Sequence, residues 1–141
     1  MAVKRGGLTR PIVGNSPGGL PIASPAVYKV SMTERAMQEA TFLILTALID
    51  GSQHGYGIIT EVQEISHGRV RLRAGTLYTA LDRLRADGLI EVDREEIVEG
   101  RLRRYYRLTP GGTRRLAAEA ARLQANATAA LARLRPLGVV P

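Results

Sequence analysis

The side chains able to perform chemistry are few in this sequence and stand far apart. His54 and His67 are its two histidines, thirteen residues apart, and neither has a carboxylate at metal-ligand spacing. The chain has no cysteine, and no serine lies in a nucleophile motif. Gly55 and Gly57 are followed at position 60 by threonine, where a dinucleotide-binding loop needs glycine. The sequence therefore predicts neither an enzyme nor a metal or cofactor site.

Arginine is the side chain that this sequence offers most for binding. The formal charge is +7, and ten arginines lie between positions 69 and 107. Such a concentration of guanidinium groups is typical of a phosphate-binding surface, although a solvated surface can have the same composition. The bulk charge itself is weak evidence, because residues 1–32 alone contribute +4 of it.

The helix predicted between Gly75 and Asp87 carries the first set of candidate contacts. Its three leucines, spaced by four and three, form a buried stripe. The opposite face would present Thr76, Thr79 and Arg83, with Tyr78 at the flank. Small hydroxyls and an arginine one turn apart suit the major groove of DNA. An ordinary surface helix shows the same residue types, so this helix alone leaves both interpretations open.

A predicted β-hairpin carries the second set. Residues 89–94 and 102–109 are typical of strands, and the polar loop between them contains Gly100. Three arginines near the tip could enter a minor groove or straddle phosphates: Arg101, Arg103 and Arg104. Glutamates on the other strand and the tip oppose that field, and we expect them to pair with these arginines across the hairpin: Glu95, Glu96 and Glu99.

The elements that must position these residues follow from hydrophobic periodicity and capping signals. A first helix is predicted from a capping box at Ser31 and Glu34 to Ile49, a second from about His54 to Ile65, and a short strand at 70–72. Thr109 and Pro110 begin a last helix that runs to about residue 135. The predicted fold class is mainly α with a small β-wing, a winged helix-turn-helix followed by a long C-terminal helix.

This pattern divides the chain into four parts. Residues 1–31, rich in glycine and proline, are predicted to be a flexible extension. The winged helix-turn-helix would span 32–109, the C-terminal helix 110–136, and a tail 137–141. No apolar run is long enough for a membrane span and no signal peptide is apparent, so we expect a cytoplasmic protein.

The C-terminal helix has an apolar seam that predicts a homodimer. Its members are spaced alternately by four and three, as in a heptad repeat: Leu116, Ala120, Leu123, Ala127, Ala130 and Leu134. The first helix is apolar on several sides, so we add Met37 and Ile44 to the predicted interface. The alternative is that the long helix packs on its own domain.

Four blocks of sequence together resemble the PadR family of transcriptional regulators. They are His54-Gly55-Tyr56-Gly57-Ile58, Gly75-Thr76-Leu77-Tyr78, Arg83-Leu84 with Asp87-Gly88-Leu89-Ile90, and the run from Gly100 to Thr109. The resemblance covers residues 33 to about 125. It implies a winged helix-turn-helix that binds duplex DNA as a dimer. It also implies a repressor, released when a small-molecule effector binds near the dimer interface.

The resemblance also assigns a role to the start of the second helix. It implies that His54 and Tyr56 rest on the DNA backbone, where a helix N-terminus suits phosphate, although His54 could equally be a cap or a packed imidazole. Two recognition helices in a dimer predict an inverted-repeat operator. A winged-helix module that binds RNA or protein is the alternative, and a gel shift on promoter DNA separates the two.

Overall fold

The computed structural model describes residues 36–139, and the account below concerns the unit that begins at Met37. Its helices and strands follow one another in the order α1, β1, α2, α3, β2, β3, α4. Their bounds are α1 Glu39–Ala47, β1 Gln53–His54, α2 Gly55–Ile65, α3 Ala74–Ala86, β2 Ile90–Val98, β3 Arg101–Leu108 and α4 Pro110–Leu134, with a 3-10 turn at Arg135–Leu137. Within this part of the chain, no helix is both long and apolar enough to cross a membrane.

One hydrophobic core joins the three short helices, the hairpin and the first turns of α4. Helix α3 contributes its predicted stripe of Leu77, Leu81 and Leu84, all buried. Of the four residues predicted to be buried in α2, Ile58 and Val62 are buried, Ile59 is partly buried, and Ile65 is 37% exposed. The other buried hydrophobic residues come from α1 and its end, the hairpin and α4: Leu43, Ile44, Leu45, Ala47, Leu48, Ile90, Tyr106 and Leu116. Since burial of each such side chain contributes about 1.5–3 kcal/mol, this core fixes the positions of all four helices.

The core corrects two residues of the predicted dimer interface. Ile44 is fully buried and Leu116 is 6% exposed within a single chain, so neither can reach a partner. Met37 is half-buried and packs against the same core. Leu116, the first member of the predicted seam, faces inward because α1 and the start of α4 pack together.

The first helix is shorter than its pattern predicted. Ser31 and Glu34, the proposed capping box, lie outside the described residues. Residues 36–38 are not helical, and Gln38 has an extended ψ of 151°, so α1 begins at Glu39. The segment before α1 is instead hydrogen-bonded to α4, because the Met37 N–H donates to the Glu119 carboxylate at 3.0 Å.

The sheet has three antiparallel strands in the order β1-β3-β2. Its first strand pairs Gln53 with Tyr106 and His54 with Tyr105. The strand predicted at 70–72 is wrong, since those residues form a loop in which Ser66 Oγ accepts from Val70 N at 3.0 Å. Alternating apolar and basic residues there reflect a loop with one side against the core.

The hairpin, which we call the wing, is longer than predicted and closes in a tight turn. Strands β2 and β3 stay paired out to Val98 and Arg101, with one bulge between Val92 and Arg94. The two turn residues, Glu99 and Gly100, have φ of 51° and 78°. Positive φ at both central positions matches the right-handed twist of the strands, and glycine adopts it without strain.

Helix α4 begins as predicted and then leaves the domain. Thr109 caps it by accepting from Gly112 N at 2.9 Å, and Pro110 occupies the first turn. Gly112 is buried against the Leu89 carbonyl, where there is no room for a Cβ. Residues 120–130 are all exposed, so this half of α4 makes no core contact within the described chain.

Candidate nucleic-acid interface

A groove of about 830 Å³ lies between the start of α2, the helix α3 and the wing. It brings together six of the nine side chains predicted to contact DNA: His54, Tyr56, Tyr78, Arg101, Arg103 and Arg104. These residues come from positions 54 to 104 of the sequence, so only the fold assembles them. Asp82 and Glu99 also line the groove, which therefore mixes three cations with two anions.

His54 lies immediately before α2, at the wall of the groove, and contacts the wing. It is the N-cap of α2, and its Nδ1 accepts from Gly57 N–H at 3.2 Å, which leaves Nε2 as the protonated nitrogen of the neutral ring. The ring meets Tyr105 edge-on, with 5.4 Å between centroids. Burial, with Arg103 nearby, lowers the pKa of His54 below its usual value. The imidazole is both a cap and a groove wall, so the two interpretations of His54 are compatible.

Gly55 allows α2 and α3 to meet at the groove. A Cβ at this position would lie 2.9 Å from Cζ of Tyr78, and it would overlap the Tyr78 hydroxyl. Glycine therefore lets the Tyr78 ring lie across the start of α2. Tyr78 as a whole remains 45% exposed, and it lines the groove.

The outer face of α3 carries the three remaining predicted contacts. Thr76, Thr79 and Arg83 are exposed, on the side of the helix away from its buried leucines. Thr79 Oγ1 donates to the Gly75 carbonyl at 3.0 Å, one turn earlier in the helix. Arg83 forms no ion pair with any residue from 36 to 139, so its guanidinium is available to an external acceptor.

The wing arginines divide into paired and unpaired members. Arg104 Nε donates to Glu95 across the hairpin at 2.8 Å, as predicted. The same prediction is wrong for Glu96, which accepts from Arg94 of its own strand at 3.0 Å. Among the described residues, Arg101, Arg103 and Glu99 enter no ion pair. The positive charge available at the tip is therefore carried by Arg101 and Arg103.

Two exposed aliphatic residues near this groove, Ile97 and Leu102, were not among the predicted DNA contacts. Leu102 lines the groove, and Ile97 is paired with it across the strands. A signal was present, since both lie close to the turn at Gly100 and Leu102 stands between two arginines. The first strand of the hairpin, however, was predicted to end at residue 94, so the prediction did not place Ile97 opposite Leu102.

Comparison with protein families gives one match over more than half of the chain. The model described as the transcriptional regulator PadR-like family matches residues 44–118. Among curated proteins, the transcriptional regulator Rv3488 of Mycobacterium tuberculosis is 45% identical over 69 residues, covering 49% of this chain and 61% of the relative. An uncharacterized protein X of Lysinibacillus sphaericus is 29% identical over 70 residues, 50% of this chain and 64% of that protein. The chain thus spans less than two thirds of each of these curated relatives.

Solved structures share the fold. A transcriptional regulator from Clostridium thermocellum has a TM-score of 0.56 and 27% identity, covering 63% of this chain and 86% of that one. A PadR family regulator from Clostridium difficile has a TM-score of 0.56 and 26% identity, with coverage of 65% and 94%. Bacillus subtilis PadR, solved with operator DNA, has a TM-score of 0.52 and 24% identity, with coverage of 57% and 46%; this likeness concerns the fold alone.

These matches confirm three predictions from the sequence. The resemblance to PadR regulators holds, the fold class is the winged helix of those structures, and the matched family is one of transcriptional regulators, not enzymes.

Proposed function

Because the chain belongs to the PadR-like family of transcriptional regulators, we propose that it binds duplex DNA sequence-specifically, through the groove and the outer face of α3. The observation that carries this proposal is the assembly of the groove beside α3, with Arg101 and Arg103 at its far edge. Bacillus subtilis PadR, which shares the fold, was solved in complex with operator DNA, and we extend that kind of ligand to this chain.

The proposed division of labour follows from the chemistry of each surface. Thr79 and Arg83 face outward on α3, where a methyl group can meet thymine and a guanidinium can pair with guanine. The start of α2 and the wing offer a helix N-terminus, tyrosine hydroxyls and arginines, which suit phosphates. The α3 face would therefore specify the sequence, and the groove would position the duplex.

We propose further that the regulator acts as a homodimer through the exposed half of α4. A 25-residue helix is about 37 Å long. Its exposed half carries small and apolar side chains at the predicted spacing: Ala120, Leu123, Ala127 and Ala130, with Leu134 half-buried. An apolar stripe on a helix without core contacts is stabilised best by a partner helix. Repression, and release by a small-molecule effector near this interface, are proposed from the family resemblance alone.

Selection of duplexes from a random library, followed by a gel shift, tests the proposal. We expect the retained duplexes to share an inverted repeat with half-sites about one DNA turn apart, as two-fold symmetry requires. Reporter transcription from a promoter with that site, measured with and without the protein, then gives the direction of regulation. Retained duplexes without a common sequence, or a preference for RNA over the best duplex, would contradict the proposal.

A further inference from the structure

Two aliphatic side chains face each other at the end of the wing without joining the core. Ile97 of β2 and Leu102 of β3 are directly paired and are 70% and 57% exposed. Residues two positions further along the same face, Glu95 and Arg104, form an ion pair that separates them from the buried Tyr106. Ile97 and Leu102, which we call the wing-tip pair, therefore contribute little to the core.

The wing-tip pair continues the surface of the groove. Leu102 lines the groove together with Tyr56 and Tyr78, whose rings are 70% and 45% exposed. Ile97 is directly opposite Leu102 and shares its face of the hairpin, although it is not itself a lining residue of the groove. The exposed apolar surface of the wing tip thus adjoins the proposed DNA-binding surface, with Leu102 at the boundary.

The neighbouring charges favour one occupant for this apolar surface. Arg101 and Arg103 flank Leu102 in sequence and enter no ion pair among residues 36–139. A second copy of the wing would bring the same cations together, which opposes self-association. The minor groove of DNA combines phosphates on its edges with apolar sugar walls, and it accepts both arginine and aliphatic side chains.

We propose that the wing-tip pair packs into the minor groove beside each half-site, where it supplies a salt-independent part of the binding affinity. This rests on the proposed function, because it requires the duplex to occupy the groove. Arg101 and Arg103 would contact the phosphates on either side, and their contribution would fall with salt as counterions compete. The wing would thus contribute two components to the affinity, one that depends on salt concentration and one that does not.

The test compares two paired variants on the best selected duplex over a range of salt concentrations. Ile97→Thr with Leu102→Thr removes apolar surface but keeps strand-forming side chains, and we expect Kd to rise about tenfold at every salt concentration. The slope of log Kd against log salt should stay that of the parent. Arg101→Ala with Arg103→Ala should instead reduce the slope by about two.

Two further variants separate the proposed contact from an effect on folding. Ile97→Val with Leu102→Val keeps an apolar wing tip and should bind within about twofold of the parent. Ile65→Thr changes an exposed isoleucine at the other end of α2 from the groove and should leave Kd unchanged. Unfolding midpoints of all variants, measured by circular dichroism, show whether each remains folded.

A base analogue tests the location of the contact. Inosine opposite cytosine keeps the major-groove pattern of a G·C pair but lacks the minor-groove amino group. Inosine at the flanks of the half-sites should change the affinity of the parent for the duplex. The same replacement should change the affinity of the variant with Ile97→Thr and Leu102→Thr less.

Each outcome bears on a different proposal. The inference is overturned if the variant with Ile97→Thr and Leu102→Thr binds as tightly as the parent, if it alters the salt slope, or if its oligomeric state changes in light scattering. Any of these results leaves the proposed function standing. If the parent itself prefers no duplex sequence, the proposed function fails, and the inference fails with it.

Discussion

Glu119 is the one buried carboxylate of the described chain, and its removal should be costly. It is 2% exposed and accepts hydrogen bonds from Met37 N at 3.0 Å and Arg122 Nε at 3.2 Å. A second nitrogen of Arg122 and the more distant Arg115 also contact it. The Arg122 guanidinium is the main cause that lowers the pKa of Glu119 from 4.5 to about 2.

The pKa shift gives the magnitude and the sign. A carboxyl whose pKa is lower in the folded chain stabilises it above pH 4.5, and this stabilisation is lost as the pH falls towards 2. A shift of that size corresponds to about 3 kcal/mol, and Glu119→Gln, which keeps the acceptor for Met37, should cost about 2–3 kcal/mol at pH 7. For a folded part of this size, the unfolding midpoint should fall by roughly 10–20 °C.

Urea unfolding of parent and variant at several pH values measures this contribution. The difference in the free energy of unfolding should be nearly constant between pH 7 and 5. It should drop to about half or less at pH 3, where the carboxyl of the unfolded chain is protonated while that of the folded chain is still mostly ionised. Glu64→Gln, on the exposed side of α2, is the matched control and should cost about 0.5 kcal/mol or less. Equal costs for the two variants at pH 7, or a difference that does not fall with pH, would refute the reasoning.

Three predictions concern DNA binding and assembly. Arg101→Ala should reduce the salt slope of binding by about one, and Arg104→Ala by less, because Glu95 already pairs with Arg104; equal slopes would show that this pairing is irrelevant. Arg83→Ala should relax preference at particular operator positions by about 1–3 kcal/mol in a binding-site selection, and an unchanged selected sequence would move the readout elsewhere. Leu123→Asp, at a side chain 41% exposed in one chain, should give a folded monomer by light scattering with specific binding lost; a dimer that binds normally would exclude this seam.

Elements with local signals were predictable from the sequence. The stripes of α2 and α3 repeat at helical spacing, and Thr109 followed by Pro110 marks the start of α4 whatever lies around it. The turn at Gly100 likewise predicts a hairpin, although it does not predict the full length of the strands. In each case, the residues that determine the element are neighbours in the chain.

Features that depend on distant partners were missed or misplaced. Strand β1 has two residues, and its partner in β3 lies some fifty positions away. From the sequence, Glu119 looks like a surface residue of α4. In the structure it is buried and accepts a hydrogen bond from Met37, 82 positions earlier. Leu116 fits a heptad seam as well as it fits the core, and only the packing of α1 against α4 decides between them.

The groove depends on one short stretch of chain that sequence patterns passed over. Gln53 and His54 pair with β3 immediately before α2 begins, which connects the start of this helix to the wing. One residue later, Gly55 admits the Tyr78 ring and brings α3 against the same point. The outer face of α3 and the arginines of the wing are therefore connected through residues that contact one another around position 54. Under the proposed function, both surfaces would have to fit the duplex together, and the phosphates bound by the wing would determine which base pairs α3 can reach.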